Sequence, residues 1–217
     1  MTTKEISSNL LLKQKLLPLF YHDSAEVSLS VIKALYDGGV RMIEYTNRGD
    51  EAIDNFYKLR KAVGQFEGLQ LGIGTIKTAD DAKLFINMGA NFIVCPSINS
   101  EVGKVCFAAG LLWIPGCMTA TEIANAETAG AEIVKIFPGS LLGPGFITAI
   151  QSIFPKIKFM VTGGVEPDEE NISAWLKVGV VALGMGSTLI TKNILTNNDY
   201  KALADNTKTV LKLVSQQ

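Results

Sequence analysis

The chain has 217 residues, 47% of them hydrophobic and 19% charged, with a formal net charge of −1. That balance describes a globular protein with a sizeable core and gives no electrostatic footprint for a nucleic-acid partner. A single histidine, His22, and three cysteines without C-x-x-C spacing leave few ligands for a transition-metal centre and no pattern for a disulfide framework, so neither a metal nor another cofactor is expected.

The N-terminus, Met1 to Asn9, is polar and lacks the apolar core of a secretion signal, and no apolar run approaches the ~18 residues of a membrane span. The expected location is the cytoplasm, with no membrane partner. Residues 1–15 read as an N-terminal extension. Short apolar runs then recur at 16–21, 41–46, 70–75, 92–96, 112–116, 133–137, 159–162 and 180–184, each ending in small or turn-forming residues. Between them lie amphipathic segments such as 24–37, 50–63, 79–88 and 119–128, entered through Ser, Thr or Asp and left through Gly38-Gly39, Gly89 or Gly130. Strands apolar on both faces and separated by helices predict a parallel sheet, and eight such units predict a single-domain (β/α)8 TIM barrel spanning 1–217. An open doubly wound sheet is the rival, but Gly72-Ile73-Gly74 lacks the third glycine of a dinucleotide fingerprint. Residues 189–217 predict one or two closing helices.

Lys135 stands inside the apolar run Ile133-Val134-Lys135-Ile136-Phe137. Burial disfavours an ammonium, so such a site lowers the lysine pKa or supplies a counter-charge, and a neutral lysine amine attacks carbonyls to form Schiff bases. The plainer alternative is a strand-end lysine that snorkels to water. In a barrel, the reactive groups come from the C-terminal ends of strands and alternate residues point inward. If Ile43 faces the helices, Glu44, Thr46 and Arg48 face the mouth. Lys135 is in phase with Ile133 and Phe137, Thr75 with Ile73, and Thr162 with Met160. A lysine, a glutamate, an arginine and two threonines can therefore converge. Arginine binds carboxylates bidentately and glutamate can shuttle protons, a combination suited to a keto acid. Alternatively, Glu44 and Arg48 form a structural ion pair. Gly163-Gly164 and Gly184-Met185-Gly186-Ser187 follow the last two strands, where barrels commonly hold phosphate on backbone N–H groups.

Together, Ile43-Glu44-Tyr45-Thr46-Asn47-Arg48, Gly72-Ile73-Gly74-Thr75, Val94-Cys95-Pro96, Ile114-Pro115-Gly116, Val134-Lys135-Ile136-Phe137-Pro138 and Thr162-Gly163-Gly164-Val165 resemble the KDPG/KHG aldolase family, whose substrates are 2-keto-3-deoxy-6-phosphogluconate and 4-hydroxy-2-oxoglutarate. The resemblance runs through nearly the whole chain. It implies a class I aldolase, a homotrimeric barrel that cleaves a 2-keto-4-hydroxy acid to pyruvate and an aldehyde without metal. It further implies Lys135 as the Schiff-base lysine, Glu44 as general acid/base, and Arg48 and Thr75 as carboxylate ligands. Pro96 and Phe137 would line the substrate site, Thr162 would contact the substrate, and Gly163, Gly164 and Ser187 would hold a phosphate.

Two departures concern the mouth. Gly139 follows Pro138 where many relatives carry alanine, and the first strand ends in the bulky Phe20-Tyr21-His22, which bears on the aldehyde half of the substrate. His22 could reach the mouth, although a lone histidine at a strand end is more often a hydrogen-bonding residue. A phosphosugar isomerase or epimerase on the same barrel, or a non-catalytic barrel binding a keto acid or sugar phosphate, are the competing functions.

Overall fold

The structure is a computed structural model that describes residues 2–216. Nine strands form one parallel sheet: β1 (Leu16–Phe20), β2 (Met42–Thr46), β3 (Gln70–Gly74), β4 (Phe92–Val94), β5 (Leu112–Ile114), β6 (Gly116–Cys117), β7 (Ile133–Ile136), β8 (Lys158–Thr162) and β9 (Val180–Met185). Their spatial order is β5-β4-β3-β2-β1-β9-β8-β7-β6. The two ends of that row, β5 and β6, are separated in the chain only by Pro115, so the sheet curls into a nearly closed barrel.

The count is therefore nine rather than the expected eight, and Pro115 is the reason. Proline has no N–H to give to a ladder. Its carbonyl still accepts from Lys135 N–H at 2.8 Å, while Ile114 O, on the opposite flank, accepts from Cys95 N–H at 2.9 Å. One continuous stretch thus pairs with β4 through its first half and with β7 through its second.

Around the sheet run α2 (Ala25–Asp37), α3 (Ala52–Ala62), α4 (Ala79–Asn87), α5 (Ser100–Ala108), α6 (Ala120–Thr128), α7 (Gly139–Ile150) and α8 (Glu169–Lys177). Ser24, Thr78, Thr119 and Asp168 each accept a backbone N–H at the start of a helix, a contribution of about 1 kcal/mol per cap. α7 is two helical pieces joined at Gly143, whose φ of 69° precedes Pro144. Two closing helices follow, α9 (Lys192–Asn197) and α10 (Tyr200–Ser215), the second seated against α2 where Thr207 fills the space beside Gly38.

Strand alternation divides the core in two. Ile43, Tyr45, Val134, Ile136, Leu183 and Met185 pack outward with the helical layer. Leu17, Met42, Phe92, Val94, Leu112, Ile114, Ile133, Met160 and Ala182 fill the barrel. Side chains of strand period two can serve both layers only when helices cover the outside, as expected of a parallel barrel.

The segment read as an extension contains α1 (Thr3–Gln14), entered through a capping box between Thr2 and Glu5. Leu11, fully buried, joins the interior cluster, so this helix plugs the N-terminal end of the barrel. Gln14 fastens it: its Oε1 accepts from Arg41 N–H at 2.6 Å, and its Nε2 donates to Met42 O at 3.1 Å and to Leu16 O. With that end closed, the C-terminal end is the one left for chemistry.

Candidate active site

Lys135 enters the barrel from β7 on the same face as Ile133, and only 6% of its surface is exposed. Burial holds its pKa below the ordinary lysine value and Arg48 pushes the same way, while Glu44 and Cys95 oppose them. Its Nζ lies 4.9 Å from the centre of the Phe137 ring. Strand continuity on both sides keeps the lysine from swinging outward: Gly116 and Met160 are its register partners on β6 and β8.

Glu44 comes from β2 on the face of Met42, with 2% exposure. Burial raises its carboxyl pKa above the usual range, against the pull of Lys135 and Arg48. Room for that carboxylate is made by β3. A Cβ on Gly74 would collide with Glu44 Oε1, and one on Gly72 with the Phe92 ring. The role of Gly74 is one that sequence reasoning missed; the G-x-G spacing, which puts two absent side chains on one inward face, was the available signal.

Beyond β2, Arg48 is exposed, and its Nε donates to Thr75 Oγ1 at 3.4 Å. Thr75 itself takes φ 62°, in the left-handed region that non-glycine residues rarely adopt, and strain of this kind clusters at ligand sites. Thr162 ends β8, buried, with Gly184 of β9 leaving space for its hydroxyl. Among the described residues, the buried side-chain atoms without a hydrogen-bond partner are Glu44 Oε2 and Thr162 Oγ1. Buried polar atoms are nearly always satisfied, so two orphans on inward-facing strand ends mark where a polar ligand belongs. The structure thus brings Lys135, Glu44, Thr162, Arg48 and Thr75 to one end of the barrel, with Phe137 beside the lysine and Pro96 following β4.

The glycine loops are tightly laid. Gly163 and Gly164 take φ 86° and 73°, and a Cβ on Gly164 would lie 2.6 Å from Ser140 Cα. Side chains are thereby excluded and backbone N–H groups left at the rim. They do not sit on a helix N-terminus, however. α8 begins at Glu169, where Asp168 Oδ1 already accepts from Asn171 N–H and Glu169 and Glu170 add negative charge to the first turn. Ser187 is exposed and opens a turn in which Gly186 O accepts from Leu189 and Ile190 N–H at 3.0 and 2.8 Å. Thr188 Oγ1 donates to Val165 O at 2.8 Å and ties the two loops together. A groove of about 460 Å³ between α7 and α8, bordered by Ser140, Gly143, Asp168, Asn171 and Trp175, adjoins Gly164.

His22 is occupied structurally. Its Nδ1 accepts from Ser24 N–H at 3.0 Å, and its carbonyl accepts from Tyr45 Oη at 2.8 Å. Cys95, Cys106 and Cys117 are buried free thiols, pushed by burial up to about 11, 12 and 12. Trp113 Nε1 donates to Cys95 Sγ at 3.3 Å, which makes that thiol a packing group behind the site. Among the described residues no group of three or more His, Cys, Asp or Glu stands together as a cation cage, and no helix is long and apolar enough to cross a membrane.

An interior lysine faced by an interior carboxylate at the C-terminal end of a parallel barrel is the arrangement of a barrel enzyme acting on carbonyl compounds. Comparison with known proteins gives the family. Residues 7–205 match the family described as KDPG and KHG aldolase. The chain is 33% identical over 163 residues to 2-dehydro-3-deoxy-6-phosphogalactonate aldolase of Escherichia coli (strain K12), covering 75% of this chain and 78% of that protein. It is 28% identical over 200 residues to KHG/KDPG aldolase of the same organism, covering 91% of each. The native KDPGal structure superposes with a TM-score of 0.83 at 28% identity, over 93% of this chain and 94% of that one. The chain belongs to the KDPG and KHG aldolase family, whose members are carbon–carbon lyases.

Proposed function

We propose that this aldolase cleaves a 2-keto-4-hydroxy acid through an imine on Lys135, with Glu44 moving the protons. Burial and Arg48 favour the neutral amine, which attacks C2 of the keto acid; loss of water from the resulting carbinolamine gives the imine. Glu44, in its carboxylate form, accepts the proton from the C4 hydroxyl as the C3–C4 bond breaks. The bonding pair moves into the protonated imine to give a neutral enamine, and the C4 fragment leaves as an aldehyde. Return of that proton to C3 and hydrolysis of the imine release pyruvate and regenerate Lys135. A carboxyl with a raised pKa suits both directions of transfer near neutrality.

In this reading Arg48 and Thr75 hold the carboxylate and Pro96 and Phe137 flank the pyruvyl half. The orphaned Thr162 hydroxyl meets the substrate hydroxyls, and Gly163, Gly164 and Ser187 bind a distal phosphate through backbone N–H groups. The substrate class is a 2-keto-3-deoxy-6-phospho sugar acid, 2-keto-3-deoxy-6-phosphogluconate above all, with 4-hydroxy-2-oxoglutarate as a shorter alternative. The aldehyde is then glyceraldehyde 3-phosphate or glyoxylate. We read β5 and β6 as halves of one strand in a (β/α)8 barrel forming one domain, and the family resemblance supports a homotrimer working in the cytoplasm.

The observation that carries the proposal is the burial of Lys135 across the barrel from Glu44. Borohydride reduction in the presence of pyruvate tests it. A reduced pyruvyl adduct on Lys135, absent from Lys135→Ala and Lys135→Arg, is expected, because a guanidinium does not deprotonate near neutral pH. Aldol cleavage by either variant would overturn it.

A further inference from the structure

Tyr21 belongs to none of the motifs that carry the chemistry, yet it follows β1 directly and leans over the loop that bears Arg48. Its ring lies on Gly49. A Cβ there would collide with Tyr21 Oη and Cζ and stand 2.8 Å from Cε1. Gly49 takes no positive φ, so glycine is required here for space and not for backbone freedom.

The segment that carries Tyr21 is itself held from beneath. Its ring packs on the fully buried Tyr45, centroid to centroid 5.8 Å, and Tyr45 Oη donates to the His22 carbonyl. Asn55, 2% exposed on α3, donates to the carbonyls of His22 and Asp23 at 3.2 and 2.7 Å. A satisfied buried network of this kind fixes the backbone it touches. The Arg48 side chain, by contrast, is exposed and is tied to the protein through Thr75 at 3.4 Å. An exposed arginine must be ordered before it can bind a carboxylate with two hydrogen bonds, and a rigid platform lowers that cost.

We infer that Tyr21 is a positioning residue for carboxylate recognition: held on Tyr45 and pressed on Gly49, it fixes the backbone around Gly49 so that Arg48 is presented beside Thr75. The inference rests on the reading of Arg48 as a carboxylate ligand. It also moves the bulk at the end of the first strand from the aldehyde half of the substrate to the pyruvyl half.

The test is the pyruvate concentration that half-saturates borohydride trapping, measured in the full-length protein. Tyr21→Ala should raise it roughly tenfold, in keeping with a weakened hydrogen bond to a charged group. The adduct formed at saturating pyruvate should be unchanged, because Lys135 lies on the opposite wall. Tyr21→Phe keeps the ring on Gly49 and should stay within about threefold of the wild type, because the packing is what holds the loop. Arg48→Ala should raise half-saturation at least as far as Tyr21→Ala, and the double variant should be no worse than Arg48→Ala, as residues acting through one group do not add. A shift with Arg48→Ala but none with Tyr21→Ala, or full additivity in the double variant, overturns the inference while sparing the role of Arg48. No shift with Arg48→Ala overturns both. Should Tyr21→Ala fail to fold, Gly49→Ala displaces the same ring from the other side; the same rise supports the inference and an unchanged value overturns it.

Discussion

The carboxylate of Glu44 occupies the space that any side chain on Gly74 would need, so the proposed acid/base group and the neighbouring strand share one volume. Gly74→Ala should therefore behave as a lesion of Glu44. Overpacking of this size costs about 1–3 kcal/mol of stability. Turnover should fall toward that of Glu44→Gln, a drop on the order of 10²–10⁴. Steady-state cleavage and pyruvate trapping, measured on the same preparation, check it. Lost cleavage with retained trapping is expected; unchanged cleavage would show that the carboxylate can move aside without consequence.

The pH dependence of imine formation should respond to two neighbours in opposite senses. Trapping requires the neutral amine, so its rate falls as pH falls through the Lys135 pKa. Glu44 holds that pKa up and Arg48 holds it down, with burial the largest influence. Glu44→Gln should thus move the acid limb to lower pH and Arg48→Ala to higher pH. Rates of pyruvate trapping between pH 5 and 9 read both shifts, and movement of the two limbs in the same direction would refute the electrostatic account.

Ser187→Asp places a carboxylate in the loop proposed to receive phosphate. Like charges repel, and the penalty should fall on the phosphorylated substrate. Cleavage of 2-keto-3-deoxy-6-phosphogluconate should weaken much more than that of 4-hydroxy-2-oxoglutarate. Equal loss on both would assign the loop a structural role. No loss on either would move the distal end of the substrate toward the groove at Ser140 and Gly143.

Chelation with EDTA should leave activity unchanged, because in the proposed mechanism the imine, not a Lewis acid, takes up the electron pair of the broken bond. Loss of activity that a divalent ion restores would demote Lys135 to a charge partner.

The inward phase of Glu44, Thr46, Lys135 and Thr162 was legible in the sequence because a strand alternates with a period of two, and one flanking apolar residue sets the phase. The same alternation showed eight apolar runs, but not the division at Pro115, which depends on the partners that each half of the run meets. α1 was overlooked because its first turns are polar, although Thr2 and Glu5 had the spacing of a capping box. Its burial became visible only once Leu11 was seen inside the barrel.

By itself, the sequence determined the order of the elements, the faces of the strands and the residue types available to a keto acid, since all three follow from local periodicity and side-chain chemistry. Only the tertiary structure decided what those residues do to one another. Curvature of the sheet carries β2 and β7 to opposite walls of one barrel, where burial shifts Glu44 and Lys135 toward each other's protonation range. Packing between strands and loops distant in sequence gives Gly74 its duty to Glu44 and sets Tyr21 on Gly49. Desolvation and steric exclusion depend on every neighbour at once, and no window along the chain contains those neighbours.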